Sequence, residues 1–357
     1  MVFGLAFPSN ALAMVRVDDY ELEQGDNEVG GGVASLNDSD LSMVGVTARE
    51  VYTDEDLNIG FNGGNTIDNV EVDGSATVDV IFEGTNAVEE VHSHGSSDVT
   101  VNASGGNDFE EIEAHDQSNM TVNVTGDETF EEITGSEDAN VTIRGTTCQR
   151  RDVLNLGAGE EDTKITVERG NLTLDRVTVN VLAREAEIGS REGNVRIDTA
   201  GIFAGDENSN TVISAGGKMG IRESVIDIPG TVFSHGPLTI DHSNVHVDKP
   251  VPIDGEDYPY RVFSYDKVRL IDQENGEVHD GEVDDEGVEY VVTDDGDGKD
   301  EVDLRAVGTP AYERCDAATV LPKTGDVAGS PVLLAFAGLG CLALAAHLAR
   351  SRRRSHN

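Results

Sequence analysis

The chain has 357 residues and a formal charge of −44, with 69 acids against 25 bases, 5% aromatics and no Trp. A surface this acidic repels polyanions, which excludes nucleic acid and anionic lipid as partners of the folded part. Few large rings alongside 40 Gly and recurrent Val and Thr favour strands and turns over helices.

The chain opens on "VFGLAFPSNALA", an apolar stretch with Pro8 inside it and Ala11-Leu12-Ala13 at its end. That is a small-residue cleavage pattern. Residues 1–13 are expected to be the remnant of a secretory signal peptide whose basic n-region lies upstream of Met1. A short N-terminal strand is the alternative.

The body repeats. "NAVEEVHSHGSSDVTVNASGG" from Asn86, "NDFEEIEAHDQSNMTVNVTGD" from Asn107 and "ETFEEITGSEDANVTIRG" from Glu128 align without gaps at a spacing of 21 residues. "NTIDNVEVDGSATVDVIFEGT" from Asn65 fits the same frame. Apolar columns follow: Ile67, Val88, Phe109, Phe130; Val70, Val91, Ile112, Ile133; Val78, Val99, Met120, Val141. The second half of each unit alternates with period two, as in "VTVNA" and "MTVNV", which is strand patterning. A leucine-rich repeat is set aside because its Asn and its helical stripe are missing. The expected fold is all-β: a right-handed parallel β-helix, a solenoid with one coil per ~21 residues, over 14–248. Regular repeats occupy about 43–145 and irregular coils 146–248. One coil cannot bury its own apolar row, but coils stacked ~4.8 Å apart make a continuous core. Ala76, Ser97, Ser118 and Ala139 suit a tight corner, Gly84, Gly105 and Gly126 a turn, and Asn65, Asn86 and Asn107 an amide ladder.

The same register stacks like charges. Asp68, Glu89, Glu110 and Glu131 share one column, and Asn69, Glu90, Glu111 and Glu132 the next. Carboxylates ~4.8 Å apart repel by ~1 kcal/mol in water and more at lower dielectric. Ca²⁺ bridging neighbouring coils would relieve this; a solvated acidic edge with diffuse counterions is the alternative. An outward grid sets Glu71 and Asp73, then His92 and His94, then Glu113 and His115 over one another. Residues i and i+2 of a strand share a face, so these imidazoles and carboxylates could hold Zn²⁺; hydrogen-bonded His–Glu neighbours are the alternative. Thr100, Thr121 and Thr142, with Asn119 and Asn140 beside them, form a polar ladder that suits either a repeating ligand or folding alone.

Residues 249–308 carry aromatics in "YPYRVFSYDKVRLI" and then an acidic, hairpin-like run, as expected of a β cap over the last open edge. A short linker, 309–320, follows. Cys148 and Cys315 could form a disulfide outside the cell or remain separate thiols.

Leu321-Pro322-Lys323-Thr324-Gly325 precedes "PVLLAFAGLGCLALAAHLA" and an Arg-rich end, Arg350 and Arg352 to Arg354. At ~1.5 Å per residue the apolar run just spans a hydrocarbon core of ~30 Å, with the arginines on the cytoplasmic side. The arrangement of pentapeptide, apolar segment (326–357 with its basic tail) and arginines resembles the sorting signal of LPXTG surface proteins of Gram-positive bacteria. That resemblance implies that the cysteine of sortase attacks the Thr324 carbonyl, releases the peptide from Gly325 onward, and transfers the chain to an amine of the peptidoglycan precursor. Thr324 is then a substrate residue of another enzyme. The repeats resemble β-helix surface proteins only in pattern.

No serine elbow or Cys–His frame is present, and paired carboxylates are too frequent to be diagnostic. The expected function is non-enzymatic: a cell-wall-anchored protein presenting an acidic solenoid for adhesion or carbohydrate binding, with sortase, peptidoglycan and a host or environmental glycan or protein as partners. The alternatives are a wall-anchored glycan lyase or hydrolase, whose site would lie where bases cluster around Arg144 to Arg222, and a structural wall component.

Overall fold

The computed structural model describes residues 14–146, 151–158, 160–205, 209–249, 260–280, 288–293 and 297–318. The sorting motif at 321–325, the apolar segment after it, residues 1–13 and Cys148 lie outside the described residues, as does the side chain of Cys315.

Alternating apolar and polar residues give each coil two strands that bury one face. In the repeat from Asn86, Ala87–Ser93 turns Val88, Val91 and Ser93 inward, and Asp98–Ser104 turns Val99, Val101 and Ala103 inward. Each strand pairs in parallel with its equivalent one repeat away: Val91 with Val70 and Ile112, and Ile112 with Ile133. On the second face Val99 pairs with Val78 and Met120, and Met120 with Val141. The predicted columns are therefore single buried rows, with every member at most 2% exposed. The stack continues for about ten turns, and its second sheet reaches thirteen strands among the described residues.

Large rings pass from one wall of the core to the other. Phe61 and Phe82 stack at 4.8 Å on the second face. The next residue in that file is Ala103, and the ring role moves to Phe109, edge-on to Phe82 at 5.1 Å and stacked on Phe130 at 4.8 Å. A narrow core admits about one ring per level, so Val88 and Ala103 fill the level between.

The amide ladder is present and buried. Asn65 Nδ2 donates to Asn86 Oδ1 at 2.9 Å, and Asn86 Nδ2 to Asn107 Oδ1 at 3.2 Å. Asn107 Nδ2 then donates to Glu128 Oε2 at 3.0 Å, and Glu128 also accepts from the backbone N–H of Gly106 and Asn107. Gly84, Gly105 and Gly126 all have positive φ, as a tight turn at that column requires.

From Asp127–Gly135 onward the first face divides. The front of this nine-residue strand pairs with Val153–Leu156 and its rear with Asp162–Val167. The following coils carry three strands, as in Thr178–Val181, Glu185–Ser190 and Val195–Asp198. The added strand accounts for the loss of the 21-residue spacing after residue 146.

The two ends of the stack depart from parallel order. Gly25–Val29, Gly32–Asn37 and Asp40–Val44 form antiparallel pairs, and Val15–Val17 runs antiparallel to Thr47–Thr53, all within the range read as coils. At the other end Glu301–Leu304 pairs antiparallel with Asn244–Asp248, and Glu289–Val292 with Val262–Ser264. A helix, Ala311–Ala318, lies inside the stretch read as a linker; its Tyr312 is buried and hydrogen-bonds Thr178 at 2.7 Å. No helix among the described residues is long and apolar enough to cross a membrane.

Candidate functional site

The divided face carries a trough. Outward positions on successive strands form one column: Asn69, Glu90, Glu111, Glu132, Lys164, Glu187 and Val212. Lys164 therefore stands directly after the carboxylate ladder, with Nζ 2.8 Å from Glu132 Oε2. The hydrogen bond to Glu132 raises the Lys164 pKa, so the ammonium stays charged. A cavity of about 520 Å³ opens here, lined by Glu132, Lys164, Glu185, Glu187, Asn210 and Phe233 among others. A second of about 340 Å³ shares Lys164 and Glu187 with it and extends to Glu111, Ser136 and Arg191. Phe233, which lines the first cavity, stacks on Phe263 at 5.2 Å; His235 and the half-exposed Tyr265, stacked at 4.8 Å, line neither cavity.

Beside the trough, Glu90, Glu110, Glu111, Glu131, Glu132, Glu160 and Asp162 line a smaller acidic cleft of about 190 Å³. Two of these carboxyls, Glu111 and Glu131, resist ionisation. Burial raises the Glu111 pKa, and Glu113 and Glu132 add to it against Lys164 and His92. Burial also raises Glu131, with Glu160 and Glu110 adding. Glu89, fully exposed, is raised first by Asp68. The predicted stacking of like charge is thus physically felt, and its relief at Glu132 comes from Lys164.

A pH dependence follows. A carboxyl whose folded pKa is raised favours the fold below the ordinary carboxylate range, and that contribution is lost as pH rises through the raised value. Asp198 has the opposite sign. Burial pushes it up, but hydrogen bonds from Arg222 and Arg196 outweigh this and hold it low, so its contribution is lost only in stronger acid. Thermal melts should therefore show a midpoint that rises as pH falls from neutral toward the ordinary carboxylate range of about 4. Glu111→Gln should flatten that slope. A midpoint that rises steadily toward neutral pH would contradict it.

The histidine grid is assembled as the spacing predicts. His92 pairs across to Glu113 and Glu71. His94 and His115 occupy one corner on adjacent coils, their rings stacked at 4.3 Å and 4°. Donor atoms of His92, His94 and His115 lie within 4.8 Å of one another; so do those of His246, Asp248 and Glu301. Those are the two such groups among the described residues, and the ladder carboxylates Asp68, Glu89, Glu90, Glu110, Glu111, Glu131 and Glu132 are in neither.

The polar ladder on the second sheet is largely occupied by its own members. Asn140 Nδ2 donates to Asn119 Oδ1, Asn171 to Asn140, and Asn194 to Asn171, at 2.8–3.1 Å. Thr100, Thr121, Thr142 and Thr173 stay in register beside it. This run stitches coils together, which leaves the trough as the more open polar surface.

Sequence reasoning missed Lys164, Glu185, Glu187, Asn210 and Phe233, because the inserted strand hides their alignment with the ladder. It also missed the acceptor role of Glu128, although Glu128 falls in the Asn65 column. Comparison with family models, with curated proteins and with solved structures returns no match for this chain.

Proposed function

We propose that this chain is a surface protein attached by sortase to a Gram-positive cell wall, and that the trough from Glu111 to Phe233 binds carbohydrate without transforming it. The tripartite C-terminal signal supports the attachment, with the apolar segment spanning the membrane only in the precursor. The right-handed course usual for parallel crossovers is part of this reading, as is the role of the antiparallel strands over 260–308 as a cap that blocks edge pairing.

The trough is the observation that carries the ligand class. It repeats hydrogen-bonding groups at the coil spacing of ~4.8 Å, so a polymer of similar units meets comparable partners along its length. Phe233 lines one end of the trough with an aromatic ring. Carboxylates dominate, and Lys164 is already paired with Glu132, so the trough suits neutral and amino sugars and repels uronates.

The test is binding of the purified chain to immobilised neutral, amino and uronic glycans. Neutral or amino glycans should bind and uronates should not. Glu187→Gln combined with Asn210→Ala should weaken binding at least ~10-fold, the scale of one or two lost polar contacts, with the melting midpoint preserved. Binding that ignores both substitutions, or none at all, would refute the ligand reading. Release of new reducing ends would instead make the trough a hydrolase site. The attachment is checked separately: sortase with an amine acceptor should join the acceptor at Thr324, and Thr324→Ala should abolish the product.

A further inference from the structure

We propose that His92, His94 and His115 form a binding site for a divalent transition metal, Zn²⁺ by its chemistry, that pins two successive coils together. The site adjoins the trough, whose second cavity Glu113 and Ser136 also line, but it does not rest on the carbohydrate reading.

The donors come from rigid positions. His92 lies on Ala87–Ser93, and His94 and His115 follow the ends of adjacent parallel strands. Their backbone amides are fixed by the ladder: His94 N–H donates to Val72 O at 2.8 Å and His115 N–H to Ser93 O at 2.7 Å. All three side chains are partly buried. The rings pack as a set, with His92 edge-on to His94 at 6.0 Å and to His115 at 5.8 Å, and His94 flat against His115.

Two further observations point to a ligand. The Nε2 of His92 is buried and makes no hydrogen bond; its nearest carboxylate oxygen, on Glu90, is 3.5 Å away. His115 is oriented from behind, with Nδ1 2.9 Å from Ser136 Oγ and Nε2 facing Glu113 Oε2 at 3.1 Å. An imidazole held at one nitrogen by an outer partner while the other faces a donor cluster is the arrangement that metal-binding histidines use. Glu113 pairs across from His92 and reaches His115 Nε2, but it is not among the three mutually close donors, and its carboxylate would have to turn toward them to serve as a fourth. A tetrahedral ion with bonds of about 2.1 Å needs donors about 3.4 Å apart. The observed limit of 4.8 Å leaves about 1.4 Å for rotation of the side chains to close.

Nitrogen donors select the ion. Ca²⁺ and Mg²⁺ take oxygen ligands, whereas three imidazoles and a carboxylate suit Zn²⁺, with Co²⁺ and Ni²⁺ as probes. The dense acids nearby, Glu71, Asp73, Glu90 and Glu111, raise local cation concentration without supplying the selectivity.

The experiment uses the full chain without a histidine tag, near neutral pH and with excess Mg²⁺ to suppress diffuse association with carboxylates. Zn²⁺ is titrated against a chromophoric chelator, and Co²⁺ uptake is followed by its visible spectrum. One equivalent should bind with tetrahedral Co²⁺ bands, and the first melting transition should rise with Zn²⁺. His94→Ala and His115→Ala should each weaken binding more than about 100-fold. Ser136→Ala and Glu113→Gln should each weaken it about 10-fold, and Glu131→Gln should leave it unchanged. Uptake that survives His94→Ala and His115→Ala, or that disappears in excess Mg²⁺, would overturn the proposal. Melting of the metal-free histidine variants at the wild-type temperature ties the loss to ligation rather than to folding.

Discussion

Phe109→Ala should destabilise the solenoid by about 3–5 kcal/mol, the usual cost of removing a fully buried ring. Phe109 is wholly buried and lies where the file of rings crosses the core, edge-on to Phe82 and stacked on Phe130. Its neighbours cannot collapse into the gap, because each is held in a strand ladder at fixed spacing. Phe109→Leu keeps most of the volume and should cost less than about 1.5 kcal/mol. Urea unfolding followed by far-ultraviolet circular dichroism separates the two. Equal effects would mean that the ring's volume does not support the stack.

Glu128→Leu should be comparably severe, about 2–6 kcal/mol. Glu128 is fully buried and accepts from Gly106 N–H, Asn107 N–H and Asn107 Nδ2. Removing the carboxylate leaves the buried Asn107 N–H and one Nδ2 hydrogen unpaired, at about 1–3 kcal/mol each before relaxation, while Nδ2 keeps Ser104 O and the exposed Gly106 N–H can turn to water. The loss also undoes the last step of a ladder that begins at Asn65. Glu128→Gln retains one oxygen and nearly the same shape, and should cost about 1–2 kcal/mol. The same unfolding assay tests the pair, and a Gln variant as damaged as the Leu variant would contradict the acceptor role.

Much of the regular stack is legible because spacing is the signal. Where coils are identical in length, a residue's partner is found by adding 21, and Val91, Ile112 and Ile133 do share one row. The same arithmetic brings His94 under His115 and Asn86 under Asn107. It fails at Asp127–Gly135, where the face divides and the partner of Glu132 becomes Lys164 rather than a residue 21 further on. The trough lies past that point, so its members were scattered in the linear pattern. The antiparallel strands at both ends carry the same alternation of apolar and polar residues as the coils. Alternation reports a half-buried strand and says nothing of its direction. Tyr312 and its helix were hidden by length: eight residues with one buried aromatic leave no periodic stripe.

Most directly, cysteine cross-linking tests whether residues 21 apart stand over one another. Cys148, Cys315 and Cys341 are first replaced by Ser, and cysteines are placed at Thr100 and Thr121, at Thr121 and Thr142, or at Thr100 and Thr142. Thr100 pairs with Thr121 and Thr121 with Thr142, so each of the first two pairs lies within the Cα separation of about 4.4–6.8 Å that a disulfide needs. The third pair is two coils apart, about 10 Å. Disulfides in the first two variants and none in the third is the predicted result. Bridging at Thr100 and Thr142, with none at the adjacent pairs, would contradict the stacked register.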